Sequence, residues 1–304
     1  MERPGSRDRL AIFGSALLFS TGGVAIKWVA FDAWEVAGLR ALLAALAVRI
    51  LMPGPIAFRD KAVLLTGIAQ GSAMLLFVLA NKTTTAANAI FLQSGAPLYI
   101  PLLAASVLGE RTTRRDLAAM AGIAAGLACF FVGAGEPSVT APQPRLGDAL
   151  AVASGIAWAC TVVGLRYLAR GRPMIPGAAK GALISGNLFV AAVALPMAFP
   201  LPSASLADWG IIVYLGTAQV ALAYRLLVHA VARVPAIEAS LLALFEPVLN
   251  PVWAFLLLGE FPTRWAFAGA AIVASVTIAR AVAGSRGETT DTQQLRVAHE
   301  DRLL

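Results

Sequence analysis

Apolar residues dominate the chain in long runs that are separated by short polar segments. Ten such runs lie near residues 10–29, 34–52, 62–81, 86–107, 115–134, 147–168, 178–199, 207–229, 236–258 and 263–283. Each run is close to the roughly 20 residues that an α-helix needs to cross the hydrocarbon core of a bilayer. Because a backbone in lipid must satisfy its own hydrogen bonds, the pattern predicts an all-α integral membrane protein with ten transmembrane helices.

The composition and the placement of charge agree with a lipid-facing surface. Of the 304 residues, 59% are hydrophobic and 13% are charged, whereas soluble domains carry about a quarter charged residues. With the N-terminus in the cytoplasm, 19 of the 24 Lys and Arg residues fall in cytoplasmic segments, and Arg40 falls within the second span. Because basic residues concentrate on the cytoplasmic side, we expect a multi-pass protein of the cell (inner) membrane with both termini inside. The net charge of +7 then needs no nucleic-acid partner.

The second half of the chain repeats the first. Between 87–114 and 237–264, ten of 28 positions are identical at a shift of 150 residues. The polar, glycine and proline members are Pro97/Pro247, Pro101/Pro251, Gly109/Gly259, Glu110/Glu260, Thr113/Thr263 and Arg114/Arg264. Weaker matches elsewhere are Phe19/Trp158, Lys27/Arg166, Gly67/Gly216 and Gln70/Gln219. Five spans per repeat is an odd number, so the second copy must enter the membrane from the opposite side, as in many secondary transporters.

This repeat predicts the organisation of the chain. We expect a first five-helix repeat over 1–134, a proline-containing connector over 135–146, and a second, inverted five-helix repeat over 147–283. The polar segment 284–304 is expected to form a disordered cytoplasmic tail.

The repeated sequence carries a resemblance to a known family. Gly109-Glu110-Arg111, Glu246-Pro247 and Gly259-Glu260, within ten spans and two halves, look like the drug/metabolite transporter superfamily, EamA type. The resemblance covers about 10–283 and implies a secondary transporter that moves small organic metabolites by alternating access. The layout is also similar to that of the bacterial aromatic amino acid exporters, which implies amino acids, aromatic or apolar, as the exported substrates.

The paired prolines of spans four and nine are candidate gating or kink positions. Pro97, Pro101, Pro247 and Pro251 cannot donate to the carbonyl one turn earlier, so each helix bends. The freed carbonyls could accept a hydrogen bond from a substrate ammonium group, or the kinks could be static and repaired by neighbouring helices.

Residues with mixed aromatic and polar character on spans one, three, four, six, eight and nine are candidate substrate-binding residues, since such faces suit an apolar body with a polar head. They are Phe19, Gln70, Met74, Phe77, Asn88, Phe91, Tyr99, Ser154, Trp158, Thr161, Tyr224, Phe245 and Glu246. Glu246 lies midway along span nine, where an ionisable group is costly. It could bind a substrate amine or carry a proton, or it could form a structural pair with Arg40, Arg225 or His229.

Other functions fit the sequence less well. A sugar-phosphate or nucleotide-sugar carrier would need several cations facing its cavity, and Arg40, Lys27 and Arg225 are the few that qualify. A membrane-embedded enzyme is disfavoured because the chain lacks the hydrolase and zinc-protease motifs and has two histidines in all. A scaffold or receptor would not need the inverted repeat. We expect no cofactor and no bound metal, and the absence of a Walker motif excludes ATP bound at such a motif as the power source. The expected partners are a small-molecule substrate and the lipid bilayer.

Overall fold

The computed structural model describes residues 6–132, 136–170, 175–231, 233–234, 236–280 and 282, and every regular element within them is helical. The helices are α1 (Ser6–Ser20), α2 (Gly22–Trp28), α3 (Ala33–Leu51), α4 (Lys61–Thr83), α5 (Ala86–Gln93), α6 (Ile100–Leu108), α7 (Arg114–Val132), α8 (Pro144–Ala169), α9 (Ala178–Ala198), α10 (Leu206–Tyr214), α11 (Ala223–Val231), α12 (Ala236–Ala243), α13 (Phe245–Leu258) and α14 (264–280). The predicted tail 284–304 lies outside the described residues.

Among the residues that the structure describes, seven helices are long and apolar enough to cross a membrane, and a bent pair formed by Ala86–Leu98 and Ile100–Leu108 would be an eighth. The seven are Ser6–Trp28, Lys61–Thr83, Arg114–Val132, Pro144–Ala169, Ala178–Ala198, Leu206–Ala230 and Leu241–Leu258. The protein is therefore a multi-pass membrane protein. Length and composition alone give fewer than the ten predicted spans, because α3 carries Glu35, Arg40 and Arg49 and because α14 is described over only 264–280.

Local sequence signals explain where several helices begin and end. The side chain of Asp32 accepts the backbone N–H of Glu35 and forms a capping box at the start of α3, and Ser205 forms another before α10. Asp60 caps α4 by accepting two backbone N–H groups. Gly109 and Gly259 end α6 and α13 in the left-handed conformation, with φ of 68° and 67°, which glycine adopts without steric cost.

Four of the membrane helices are irregular near their middles. The first is interrupted at Thr21 between α1 and α2, and the one that ends at Leu258 is interrupted at Leu244 between α12 and α13. A 3₁₀ turn over Ala96–Leu98, which contains Pro97, separates α5 from α6, and the helix bends there by 41°. A π-helix over Leu215–Leu222 joins α10 to α11, and such segments are frequent at functional sites.

Glycines allow the backbones of neighbouring helices to touch. A Cβ atom on Gly186 of α9 would lie 2.3 Å from the carbonyl oxygen of Gly67 in α4, and one on Gly71 would lie 2.4 Å from that of Gly186. Gly126 of α7 and Gly269 of α14 form a second such contact, at 2.5 Å from one would-be Cβ to the opposing carbonyl oxygen. Small residues of this kind are what drives close helix packing in lipid.

Candidate functional site

A buried ion pair closes one end of the helix bundle. The Nζ atom of Lys27, at the end of α2, lies 3.0 Å from Oε1 of Glu260, and both side chains are at most 5% exposed. Lys27 also donates to the carbonyl oxygens of Thr84, at 2.7 Å, and of Thr140. Glu260 accepts the backbone N–H of Ala86 at 2.8 Å. This "Lys27 end" thus joins three spans and the connector, because Lys27 and Glu260 contact each other and each binds a backbone group of another segment.

Asp148 extends the same network into α8. Its Oδ1 atom accepts hydrogen bonds from Oγ1 of Thr84, at 2.7 Å, and from Nδ2 of Asn88, at 2.9 Å. Asp148 is fully buried. The structure therefore places Asn88, a predicted substrate-binding residue, in a network that holds helices together at the Lys27 end.

A second ion pair lies at the opposite end of the bundle. Glu110 accepts from Arg166 at 2.7 Å and from Arg170 at 2.5 Å. Arg166 follows Asp148 by 18 residues in α8, which is about 27 Å at 1.5 Å per residue. This "Glu110 end" is more open than the Lys27 end, since the side chains of Glu110 and Arg166 are 30% and 40% exposed.

Between the two ends, buried amide side chains have polar atoms without partners. Both polar atoms of Gln70 and Asn250, Oδ1 of Asn81 and Oε1 of Gln219 make no hydrogen bond, although these residues are at most 5% exposed. An unsatisfied buried polar atom costs about 1–3 kcal/mol, so four such residues in one bundle call for an explanation. They come from α4, the π-helix and α13.

The first helix makes room for these amides at its break. A Cβ atom on Gly22 would lie 2.5 Å from Nε2 of Gln219, and one on Gly23 would lie 2.8 Å from both side-chain polar atoms of Asn250. The same atom on Gly23 would lie 3.1 Å from Oδ1 of Asn81. The interruption after Thr21 therefore lies against the amide side chains of Asn81, Gln219 and Asn250.

Aromatic residues and a buried arginine lie near one of these amides, Gln70. The rings of Phe19 and Tyr224 meet edge to face with centroids 5.1 Å apart, and Trp158 packs against the same apolar cluster as both. The Tyr224 hydroxyl lies near the Gln70 amide and within electrostatic range of Arg40, but neither polar atom of Gln70 completes a hydrogen bond of normal geometry. Arg40 is 3% exposed. The structure thus brings Phe19, Gln70 and Tyr224 together and places Trp158 against the same apolar cluster.

Other predicted residues have packing partners elsewhere. Ser154 donates to the carbonyl of Ala73 and accepts from Gln93, and Thr161 donates to the carbonyl of Ala157. Phe77 is in the main apolar core, and Phe91 stacks on Phe130 with centroids 5.7 Å apart.

The remaining candidates are partly exposed. Met74 and Tyr99 are half-buried, and Phe245 is 43% exposed with its ring against Phe13. Glu246 is half-buried and, among the described residues, forms no ion pair with Arg40, Arg225 or His229.

The sequence did contain a signal for the amides that were not predicted. Gln219 and Asn250 each interrupt an apolar run with an uncharged polar residue, and Asn81 is the last residue of another run. Such a residue inside a membrane helix must find a partner or a polar cavity. Helical-face patterns alone did not reveal that all three point towards one place.

Two cavities are lined by residues other than these amides. One of about 340 Å³ is mostly apolar and lies between the first helix, α10 and α13, where Thr21 bonds to Tyr214 at 2.7 Å. Trp28, which lines it, is 55% exposed, so this cavity reaches the surface of the protein. A smaller one of about 70 Å³ lies beside Glu110 and Arg166.

The EamA-like transporter family model matches the chain twice, over residues 9–132 and 145–279. The chain belongs to the EamA-like transporter family. As a member, it is a membrane transporter of small molecules rather than an enzyme. No curated protein matches the chain.

Solved structures share the fold of this EamA-like transporter, and 26 chains match it. One, described as "Crystal structure of protein", has a TM-score of 0.63 at 22% identity. The alignment covers 92% of this chain and 98% of the other.

Proposed function

We propose that this EamA-like transporter exports amino acids with aromatic or apolar side chains across the cell (inner) membrane by alternating access. The observation that carries the proposal is the contact between Phe19 and Tyr224 beside Gln70, a buried amide that lacks hydrogen-bond partners, with Trp158 against the same apolar cluster. An aromatic wall suits an apolar side chain, and unpaired amides suit the polar groups of an amino acid. A sugar phosphate is disfavoured, because Lys27 is already paired with Glu260 and Arg225 is exposed.

The same proposal includes ten spans in two inverted repeats, with boundaries near 134 and 147 and a cytoplasmic tail. Two separate matches of one family model support two copies. The ion pairs add support: Lys27 and Arg166 are equivalent positions, as are Glu110 and Glu260, and each basic residue pairs with the acidic residue of the other half. Equivalent glycines also make equivalent contacts, Gly67 with α9 and Gly216 with α3.

Two related ends of the bundle that differ in packing support alternating access. The Lys27 end is buried and the Glu110 end is partly exposed, which is the asymmetry expected of a transporter closed on one side. In our proposal the two halves exchange these arrangements. The helices bend at Pro97 and Pro101 and at Pro247 and Pro251, near the breaks at the 3₁₀ turn and at Leu244.

Uptake into liposomes that contain the purified full chain tests the function. We expect radiolabelled phenylalanine, tryptophan or leucine to be taken up by exchange against the same amino acid inside, and sugar phosphates to be excluded. Uptake of sugar phosphates without uptake of any amino acid would reject amino acid export.

Substitution of Trp158 tests the location of the site. Trp158→Ala should raise the KM for phenylalanine about tenfold while leaving folded protein in the membrane, because a lost aromatic contact costs up to about 1.5 kcal/mol beyond its buried area and 1.4 kcal/mol is tenfold. Trp265→Ala, at a tryptophan that is 46% exposed, is the matched control and should have wild-type kinetics. Equal kinetics for both variants would remove Trp158 from the site.

A further inference from the structure

We propose that Arg40 is the anchor for the substrate's carboxylate, so that the site selects aromatic or apolar α-amino acids over the corresponding amines. This inference rests on the proposed function and names the group that would orient the substrate in the same site.

The first step is the burial of a permanent charge. Arg40 lies near the middle of α3 and is 3% exposed. A guanidinium stays protonated in proteins, and a buried charge without a partner costs several kcal/mol. Such a residue is retained in a membrane helix when it faces the interior and serves a function.

The second step is that the described residues supply no anion for it. Arg40 lies within salt-bridge distance of no carboxylate and donates no hydrogen bond in the described part of the chain. The neighbouring acid on its own helix, Glu35, accepts the backbone N–H of Asp32 in the capping box. Asp148 and Glu260 bind groups at the Lys27 end. The guanidinium therefore has free donors for an anion that enters from outside.

The third step is what surrounds those donors. Tyr224 lies within electrostatic range of both Arg40 and Glu246, and its ring contacts Phe19. Glu246 has no ion pair among the described residues. A positive and a negative side chain thus both act electrostatically on one tyrosine, which contacts an aromatic ring.

This arrangement matches an α-amino acid. The planar guanidinium fork binds a carboxylate through two parallel hydrogen bonds, the Glu246 carboxylate attracts the ammonium group, and the ring of Phe19 contacts an apolar side chain. One guanidinium balances the single charge of a carboxylate, whereas a phosphate dianion would require a second cation that the site does not offer.

Binding to three related probes tests the inference in the purified full chain. Phenylalanine has both charged groups, 3-phenylpropionate lacks the ammonium, and phenethylamine lacks the carboxylate. We expect Arg40→Gln to weaken the binding of phenylalanine and of 3-phenylpropionate about tenfold or more and to leave the binding of phenethylamine unchanged. Ligand-induced thermal shift and tryptophan fluorescence measure the affinities. Arg49→Gln, at an exposed arginine of the same helix, should bind all three as the wild type does.

Several results would overturn the inference. An equal loss of affinity for all three probes in Arg40→Gln would mean that Arg40 only shapes the site. Unchanged affinities would mean that Arg40 does not face the ligand. If Arg40→Gln does not fold, the binding of the three probes to Arg40→Lys and to the wild-type protein tests the inference instead. Arg40→Lys should keep the preference for the two carboxylates while binding them more weakly, and wild-type protein that binds phenethylamine as tightly as phenylalanine would sink the idea.

The inference and the proposed function can fail separately. Amino acid uptake that is unaffected in Arg40→Gln would keep the export function and reject Arg40 as anchor. Binding of aromatic carboxylates that depends on Arg40, without uptake of any amino acid, would keep the anchor and reject amino acid export.

Discussion

Polar side chains inside this bundle fall into two groups according to their partners. At the Lys27 end, Lys27 pairs with Glu260, and Oδ1 of Asp148 accepts from Thr84 and Asn88, although Oδ2 of Asp148 has no partner. In the middle, the amides of Gln70 and Asn250 have no partner. Paired groups hold helices in one arrangement, whereas unpaired ones favour the entry of a polar ligand or water. The second group is therefore where substitutions should change transport more than folding.

Gly23 tests this distinction. Gly23→Ala would place a methyl group 2.8 Å from the polar atoms of Asn250, and such overpacking costs about 1–3 kcal/mol. Because the obstructing atoms belong to side chains, the backbone can stay in place, and we expect folded protein with strongly reduced uptake.

The control for this substitution is Gly14→Ala on the same helix, where the new methyl group would meet only Leu226 at an ordinary 3.7 Å. It should transport normally. Wild-type uptake by Gly23→Ala would show that the amide cluster lies outside the path of the substrate.

Part of the proposed site was accessible to sequence analysis for a physical reason. Phe19 and Trp158 were found through the repeat, and Gln70 through its helical face, because a period of 3.6 residues shows which side chains share a side. It could not show that Asn81 and Asn250 meet at Gly23, since that depends on how three helices cross. Nor could it separate Phe91, which packs on Phe130, from Phe19.

At the scale of helices, the ion pairs at the two ends carry unequal free energies. Breaking a buried pair by removing one partner costs about 3–5 kcal/mol, whereas an exposed pair contributes about 0–1 kcal/mol. The Lys27–Glu260 pair is of the first kind, and the Glu110–Arg166 pair is closer to the second. In the arrangement described, closure therefore depends much more on the Lys27 end.

Neutralising each acid should shift the two ends unequally. Glu260→Gln leaves Lys27 buried without a counter-charge, so it should strongly favour the state open at the Lys27 end, while Glu110→Gln should produce a small shift in the opposite sense. Spin labels at Trp28 and Phe261, and at Arg114 and Tyr167, placed in a variant without native cysteines, would report the distances across the two ends. Unchanged distance distributions in Glu260→Gln would show that this ion pair is no gate.

The helical elements themselves were largely predictable. The predicted run 62–81 corresponds to α4 (Lys61–Thr83), and the run 178–199 to α9 (Ala178–Ala198), because apolar length in lipid leaves no alternative to a helix. The breaks were less predictable. Pro97 indicated the break in its own helix. The break at Thr21 and the π-helix over Leu215–Leu222 have no proline that would have predicted them.

At the scale of the whole molecule, the arrangement depends on how many times the chain crosses the membrane. Every proposal that relates the two halves requires an odd number of spans in each, since only then do equivalent residues such as Lys27 and Arg166 reach opposite ends. Whether the connector and the C-terminus lie on opposite sides of the membrane therefore decides between an odd and an even number of spans in the second half.

Reporter insertions can measure that position. A reporter inserted at Val139, which is fully exposed in the connector, should lie outside, and one fused after Leu304 should lie in the cytoplasm. An insertion at Phe58, also exposed, should match the C-terminal fusion. The same side for Val139 and Leu304 would refute the ten-span inverted model.

The glycine contact between α7 and α14 has a consequence for assembly. Gly126 meets Gly269, whereas Gly122, one turn earlier in α7, meets Val276 further along α14, so the two helices run antiparallel. In the proposed repeats these are the last helices of each half, and each presents small residues to the other, as identical subunits do across a two-fold axis. Two copies of a polypeptide that ends after α7 could join through this surface. We therefore expect the two halves of the chain to associate when they are expressed separately. The single chain is then equivalent to a dimer whose two subunits have been fused.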